Sequence, residues 1–121
     1  MQSNSFLHLP RLIEVVRANL NNTDIVTLDN GLYKVWFARN YETRCPNTLL
    51  LDNALATMGA GYASAIIAKK INPNSKVVAV VGDGGLMMNL GDLITAVHLK
   101  IDITILVLND SAYGMIKRKQ I

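Results

Sequence analysis

Residues 76–85 read Lys-Val-Val-Ala-Val-Val-Gly-Asp-Gly-Gly, and residues 103–110 read Ile-Thr-Ile-Leu-Val-Leu-Asn-Asp. Lys76 to Val81 is an unbroken apolar run, the pattern of a strand covered on both faces. Ile103 to Leu108 is a second strand. Between Gly84 and Asn109 lie 24 residues. That length suits one helix of about a dozen residues and a returning strand, a single right-handed βαβ unit. Such a unit makes its strands parallel and predicts an α/β fold.

The flanking sequence repeats the alternation. Pro10 suits the first turn of a helix over Arg11 to Leu20, with Leu12, Ile13, Val16 and Leu20 on one face. Ile25 to Leu28 is a short strand, closed by the turn residues Asp29-Asn30-Gly31. A short helix is expected over Leu32 to Arg39, and a strand over Thr48 to Leu51 that ends at Asp52-Asn53. Thr57 to Lys70 reads as a helix rich in small residues. Asn89 reads as the cap of a helix running to Lys100, with Asp92 in its first turn and Leu90, Leu93, Ile94 and Val97 on one side. A last helix begins at Tyr113, and the sequence stops inside it. The fold class expected is α/β, a parallel sheet flanked by helices.

At 121 residues, half of them hydrophobic, the chain has room for one domain with a real core. No apolar run approaches the ~20 residues of a membrane span, and the polar opening Met1 to Ser5 lacks the layout of a secretory signal. Neither a membrane nor nucleic acid is expected as a partner. The densest basic run, Lys117 to Lys119, has no interleaved aromatics and reads as the solvated face of a helix. The net charge of +3 is compatible with a small anionic ligand. Cys45 is the single cysteine, which excludes a disulfide framework and fits a cytoplasmic protein. His8 and His98 stand in no motif.

Asp29, Asp52, Asp83 and Asp110 each fall at or just after the end of a predicted strand, the edge where open α/β sheets bind ligands. Asp29 and Asp52 read equally well as turn residues. The other two carry more. Gly82, Gly84 and Gly85 let backbone amides approach phosphate oxygens. If the two strands are neighbours, about 4.8 Å apart, Asp83 and Asp110 converge on one small cation. Carboxylates and a backbone carbonyl are hard oxygen ligands suited to Mg²⁺. Without a cation they would repel a diphosphate.

Gly-Asp-Gly at Gly82 to Gly84, followed by Asn109-Asp110, resembles the cofactor signature of thiamine diphosphate enzymes. Gly82 to Asn89, Ala96-Val97, Val107 to Asp110 and Tyr113-Gly114-Met115 resemble the acetolactate synthase type. Leu55 to Gly61 is similar to that family's segment on the cofactor's pyrimidine side. The resemblance runs from about Leu9 onward. It implies the thiamine diphosphate-binding fold, present as a partial domain over residues 1–121 that is truncated at its C-terminal end. It also implies thiamine diphosphate and Mg²⁺ as cofactors, with the metal on the side chains of Asp83 and Asp110 and the carbonyl of Ala112. By the same resemblance Gly82, Gly84, Gly85 and Met115 lie at the diphosphate, Met58 wedges beneath the bent cofactor, and the carbonyl of Ala56 accepts from the pyrimidine amino group.

The activity so implied is decarboxylation of a 2-oxo acid such as pyruvate, followed by carboligation, in a homo-oligomer. The activating glutamate of this family comes from a separate pyrimidine-binding domain. Glu14 and Glu42 match no such motif, so the isolated chain is expected to be inactive and no catalytic residue is assigned. Asp110 stands where Asn is more usual, as in the catabolic enzymes. Leu32 and Tyr33 stand where many biosynthetic relatives have Gln and His, and the family's tryptophan in the terminal helix is absent. Two rival readings are a non-catalytic fragment that binds cofactor weakly or only packs, and a dinucleotide-binding domain. Against the second, Met87 occupies the place of the third glycine in that fingerprint.

Overall fold

The computed structural model describes residues 8–121. The polar opening at Met1 to Ser5 lies outside the described residues. The chain forms α1 (Leu9–Ala18), β1 (Ile25–Leu28), α2 (Leu32–Asn40), β2 (Leu49–Leu50), α3 (Ala60–Ile71), β3 (Val77–Gly82), α4 (Asp83–Met88), α5 (Asp92–His98), β4 (Thr104–Leu108) and α6 (Gly114–Lys119). The four strands make one sheet in the order β2-β1-β3-β4. Every pairing is parallel, with Leu28 opposite Val80 and Gly82 opposite Leu108. The predicted α/β class with a parallel sheet is what the structure has.

Side chains alternate across a strand, so a fully apolar strand feeds two cores. Ile25, Val77, Ala79 and Val81 pack with Tyr62, Ala65, Ile66 and Ala68 of α3 and with Ala96 of α5. Val26, Leu28 and Val80 pack on the other face with Ile13 of α1 and with Phe37 and Tyr41. The expected α1 face is correct: Leu12, Val16 and Leu20 join Ile13 against that second core.

Arg17 is a surprise on the same helix, 8% exposed. Its guanidinium donates to the Tyr41 hydroxyl and to the carbonyls of Leu20 and Asn21, and it lies over the Tyr41 ring. Nearby, Asp24 accepts from the Asn21 and Lys76 amides and so ties the entries of β1 and β3 together.

Three differences from the expectation bear on the site, besides shifts of one or two residues at the ends of elements such as α1, α2 and β2. The small-residue helix starts at Ala60 rather than Thr57, because Gly59 takes φ +91°, a left-handed conformation that interrupts the helix. The diglycine Gly84-Gly85 does not precede a helix but forms the first turn of one, α4. Asn89 therefore ends α4 instead of capping a helix to Lys100, and its side chain donates to the carbonyl of Gly59. The second half of the predicted long helix survives as α5, whose buried contact is Ala96, while Ile94 and Val97 face outward.

Arg17→Met should leave the Tyr41 hydroxyl and two carbonyls without their partner. The expected loss is about 2–3 kcal/mol of unfolding free energy, read from urea denaturation of the intact protein. An unchanged midpoint would show that the guanidinium cluster contributes nothing net.

Candidate functional site

Because all strands are parallel, their carboxyl ends share one edge. Asp29 follows β1, Asp83 opens α4 directly after β3, and Asp110 lies two residues beyond β4. Above this edge opens a cleft of about 660 Å³. Its lining includes Gly82 to Gly85, Asn30 to Tyr33, Asn109, Asp110, Ala112, Tyr113, Met115, Ile116 and Met58. Of the residues singled out above, Gly82, Asp83, Gly84, Gly85, Asp110, Ala112, Met58 and Met115 are thus brought together. Ala56 is not in the lining, although Met58 two residues later is. Asp52 is exposed, and only its backbone carbonyl is engaged, by the Lys34 ammonium.

The glycines set how closely the parts approach. A Cβ on Gly84 would lie 2.8 Å from the Tyr113 ring and 3.4 Å from the Met58 methyl, so these side chains close over a bare backbone turn. A Cβ on Gly61 would lie 2.5 Å from the Asp29 amide nitrogen, and one on Gly85 would lie 1.9 Å from Asp29 Oδ2. The start of α3, the first turn of α4 and the end of β1 therefore meet at backbone distance.

Asp29 sits at this junction, 1% exposed. Its Oδ1 accepts from the Gly61 amide at 3.2 Å, and its Oδ2 has no partner. The Thr27 hydroxyl donates to the Gly61 carbonyl at 2.7 Å and pins the same turn. Asp29 is buried directly behind Gly85 of the cleft wall, a placement that turn chemistry alone could not reveal. The one signal in the sequence was its place in the series of strand-end aspartates.

Tyr33 is the second residue the sequence did not assign. Its hydroxyl is buried without a hydrogen-bond partner. Burial first, and then the Asp29 charge, hold the phenol proton on well beyond the ordinary 10.0; Asp110 and Asp83 push the same way. The Gly82 backbone works against them, coming near the hydroxyl without full hydrogen-bond geometry. The phenol is neutral at any ordinary pH.

At the far wall, Asp110 Oδ1 accepts from the Ala112 amide at 3.2 Å, and Asn109 Oδ1 accepts from the Ser111 amide and hydroxyl. These bonds hold Ser111 at φ +53° and fold the 109–112 turn back toward the cleft. Among the described residues no group of three His, Cys, Asp or Glu side chains is arranged to hold a metal ion. A cation here would rest on the Asp83 and Asp110 carboxylates and a backbone oxygen such as that of Ala112. This donor set suits a hard divalent cation that keeps ligand or water oxygens. The first turn of α4 has no side-chain cap, which leaves its amides available to an anion. The residues present fit a diphosphate bridged to a divalent cation.

Residues 29–121 match the family pattern described as thiamine pyrophosphate enzyme, C-terminal TPP binding domain. This chain belongs to that family. It is 38% identical over 102 residues to a protein named probable acetolactate synthase large subunit from Methanococcus aeolicus, an overlap of 84% of this chain and 17% of that protein. It is 37% identical over 109 residues to acetolactate synthase isozyme 1 large subunit from Escherichia coli K12, covering 90% of this chain and 19% of the other. Acetolactate synthase from Bacillus subtilis 168 is 38% identical over 112 residues, 90% of this chain and 20% of that one. The chain thus spans about a fifth of the length of these relatives. The resemblance first seen at Gly82 to Gly84 and Asn109-Asp110 is a family relationship, and the dinucleotide alternative is set aside.

Two glycine substitutions should separate packing from binding in the TPP-binding domain. In Gly61→Ala the added methyl meets the Asp29 backbone, which cannot swing aside, and about 1–3 kcal/mol of stability should be lost. In Gly84→Ala it meets the edge of the exposed Tyr113 ring, which can move, so stability should change by under about 1 kcal/mol while the cleft narrows. Denaturation midpoints of the two variants check this, and equal losses would contradict it.

Proposed function

We infer that this domain holds the diphosphate end of thiamine diphosphate through Mg²⁺, within an acetolactate synthase-like enzyme that decarboxylates a 2-oxo acid such as pyruvate and joins the product to a second carbonyl compound. The observation that carries this reading is the pair Asp83 and Asp110. They lie on neighbouring strand ends and line one cleft with the bare Gly84-Gly85 turn.

In this reading Asp83 and Asp110 bind the cation by their side chains and Ala112 by its carbonyl. Gly84 and Gly85 offer amides to the phosphate oxygens, beside Gly82. Met58 and Met115 give the cleft apolar walls against which a ring system can pack, and the Ala56 carbonyl lies on the pyrimidine side. Thiamine diphosphate, when bound, supplies the carbon nucleophile and the electron sink that decarboxylation of a 2-oxo acid needs. The chain's own residues bind, orient and screen charge; none is assigned a proton transfer. The activating glutamate belongs in this reading to a separate pyrimidine-binding domain.

Exposed apolar side chains favour such a partner and an oligomer. Met87, Met88, Ile94 and Val97 of the α4–α5 region are each more than half exposed. A surface of this kind is ordinarily covered by another domain or subunit. Among the described residues no helix is long and apolar enough to cross a membrane. A cytoplasmic setting is proposed from the single free cysteine, Cys45.

Charge dictates the test. Two carboxylates beside a diphosphate repel it unless a cation bridges them. Binding of thiamine diphosphate to the intact protein should therefore require divalent metal almost absolutely. Asp110→Asn keeps an oxygen ligand and removes one charge, so it should relax the requirement. Asp83→Ala should abolish metal-assisted binding. Titration calorimetry with and without chelator decides this, and equal affinity of the wild type under both conditions would sink the assignment.

A further inference from the structure

Among the described residues the carboxylates at the sheet edge form no ion pair. The ion pairs among those residues are Arg11 with Glu14 and Arg44 with Glu42, and neither involves a residue of the cleft. Lys34, at the start of α2 near the edge, gives its ammonium to the Asp52 carbonyl instead. Asp29 is the most enclosed of the three, 1% exposed, with Oδ2 unpartnered. A carboxylate so placed is costly unless a nearby charge compensates it.

Asp29 cannot touch an ion in the cleft. Its Oδ1 is taken by the Gly61 amide, and its Oδ2 is sealed behind Gly85, where even a Cβ would fall 1.9 Å away. Its charge nonetheless reaches the cleft. Gly85 itself lines the cleft, so the Asp29 carboxylate lies directly behind the cleft wall, one glycine away from it.

Building on the metal reading above, we propose that Asp29 is the third carboxylate of the cation site, acting by charge from behind the Gly84-Gly85 turn and not as a ligand. Asp83 and Asp110 hold the cation, and Asp29 raises their affinity for it. Tyr33 lines the same cleft without adding charge. In this arrangement the charge of a third carboxylate adds to the attraction that two ligating side chains exert on a divalent ion.

The test uses Mn²⁺ alone with the intact protein, free Mn²⁺ being read from its electron paramagnetic resonance signal. Asp29→Asn keeps an oxygen for the Gly61 amide and removes the charge; Asp29→Ala removes both. Action by charge predicts that both variants bind Mn²⁺ about tenfold more weakly, while only the alanine variant melts at a lower temperature. The same electrostatics should penalise Tb³⁺ more, by about thirtyfold, because the energy scales with the ion's charge. Asn binding Mn²⁺ as tightly as wild type would overturn the proposal, and so would equal penalties for the two ions. If the alanine variant does not fold, the asparagine variant and the Mn²⁺-to-Tb³⁺ contrast still decide. A wild type that binds neither ion brings down the metal reading itself, an outcome distinct from wild-type binding that Asp29→Asn leaves intact.

Discussion

Parallel pairing of β1, β3 and β4 is the constraint on which the rest depends. In a parallel sheet every strand ends at the same edge, and with neighbouring strands about 4.8 Å apart, whatever follows each strand is forced together. Leu28 sits opposite Val80 and Gly82 opposite Leu108, so Asp83 and Asp110 emerge within one residue of each other, with Asp29 two residues behind Asp83. No ion pair within the described chain relieves that concentration of charge. The sheet therefore builds a binding edge, and in the function proposed here a cation offsets its charge.

Close backbone approach is the second condition, and the glycines meet it in different ways. Gly59 supplies a left-handed turn that halts the chain before α3 and sets Met58 at the cleft. Asn89, at the end of α4, bonds the Gly59 carbonyl and locks that turn to the helix beneath the cleft. Gly61 and Gly85 flank Asp29, one by hydrogen bond and one by bare contact. Residues from β1, α3 and α4 consequently behave as one unit.

The outer surface belongs to the same account. Helix α5 buries Ala96 and leaves Ile94 and Val97 outward, and α4 leaves Met87 and Met88 outward. A short helix whose apolar residues point both ways has a second surface to pack against. In the function proposed here that surface faces the remainder of the enzyme, which also supplies the glutamate that Glu14 and Glu42 do not replace.

Much of this was legible in the amino-acid sequence because it rests on local pattern. The apolar runs at Lys76 to Val81 and Ile103 to Leu108, the helix-length interval between them and the aspartates at their ends specify parallel strands with carboxylates at one edge. The motif around Gly82 to Gly84 and Asn109-Asp110 was enough to name the family. Other features depend on contacts between residues distant in the chain, and only the tertiary structure decided them. Asp29 looked like a turn residue until Gly61 and Gly85 closed over it. Tyr33 looked like a departure from the family pattern, and only the structure showed its hydroxyl buried without a partner in the cleft lining. Asn89 looked like a helix cap until Gly59, 30 residues earlier, proved to be its partner. Periodicity reports which face of an element is buried, but not which neighbour buries it, and the chemistry of this site is set by those neighbours.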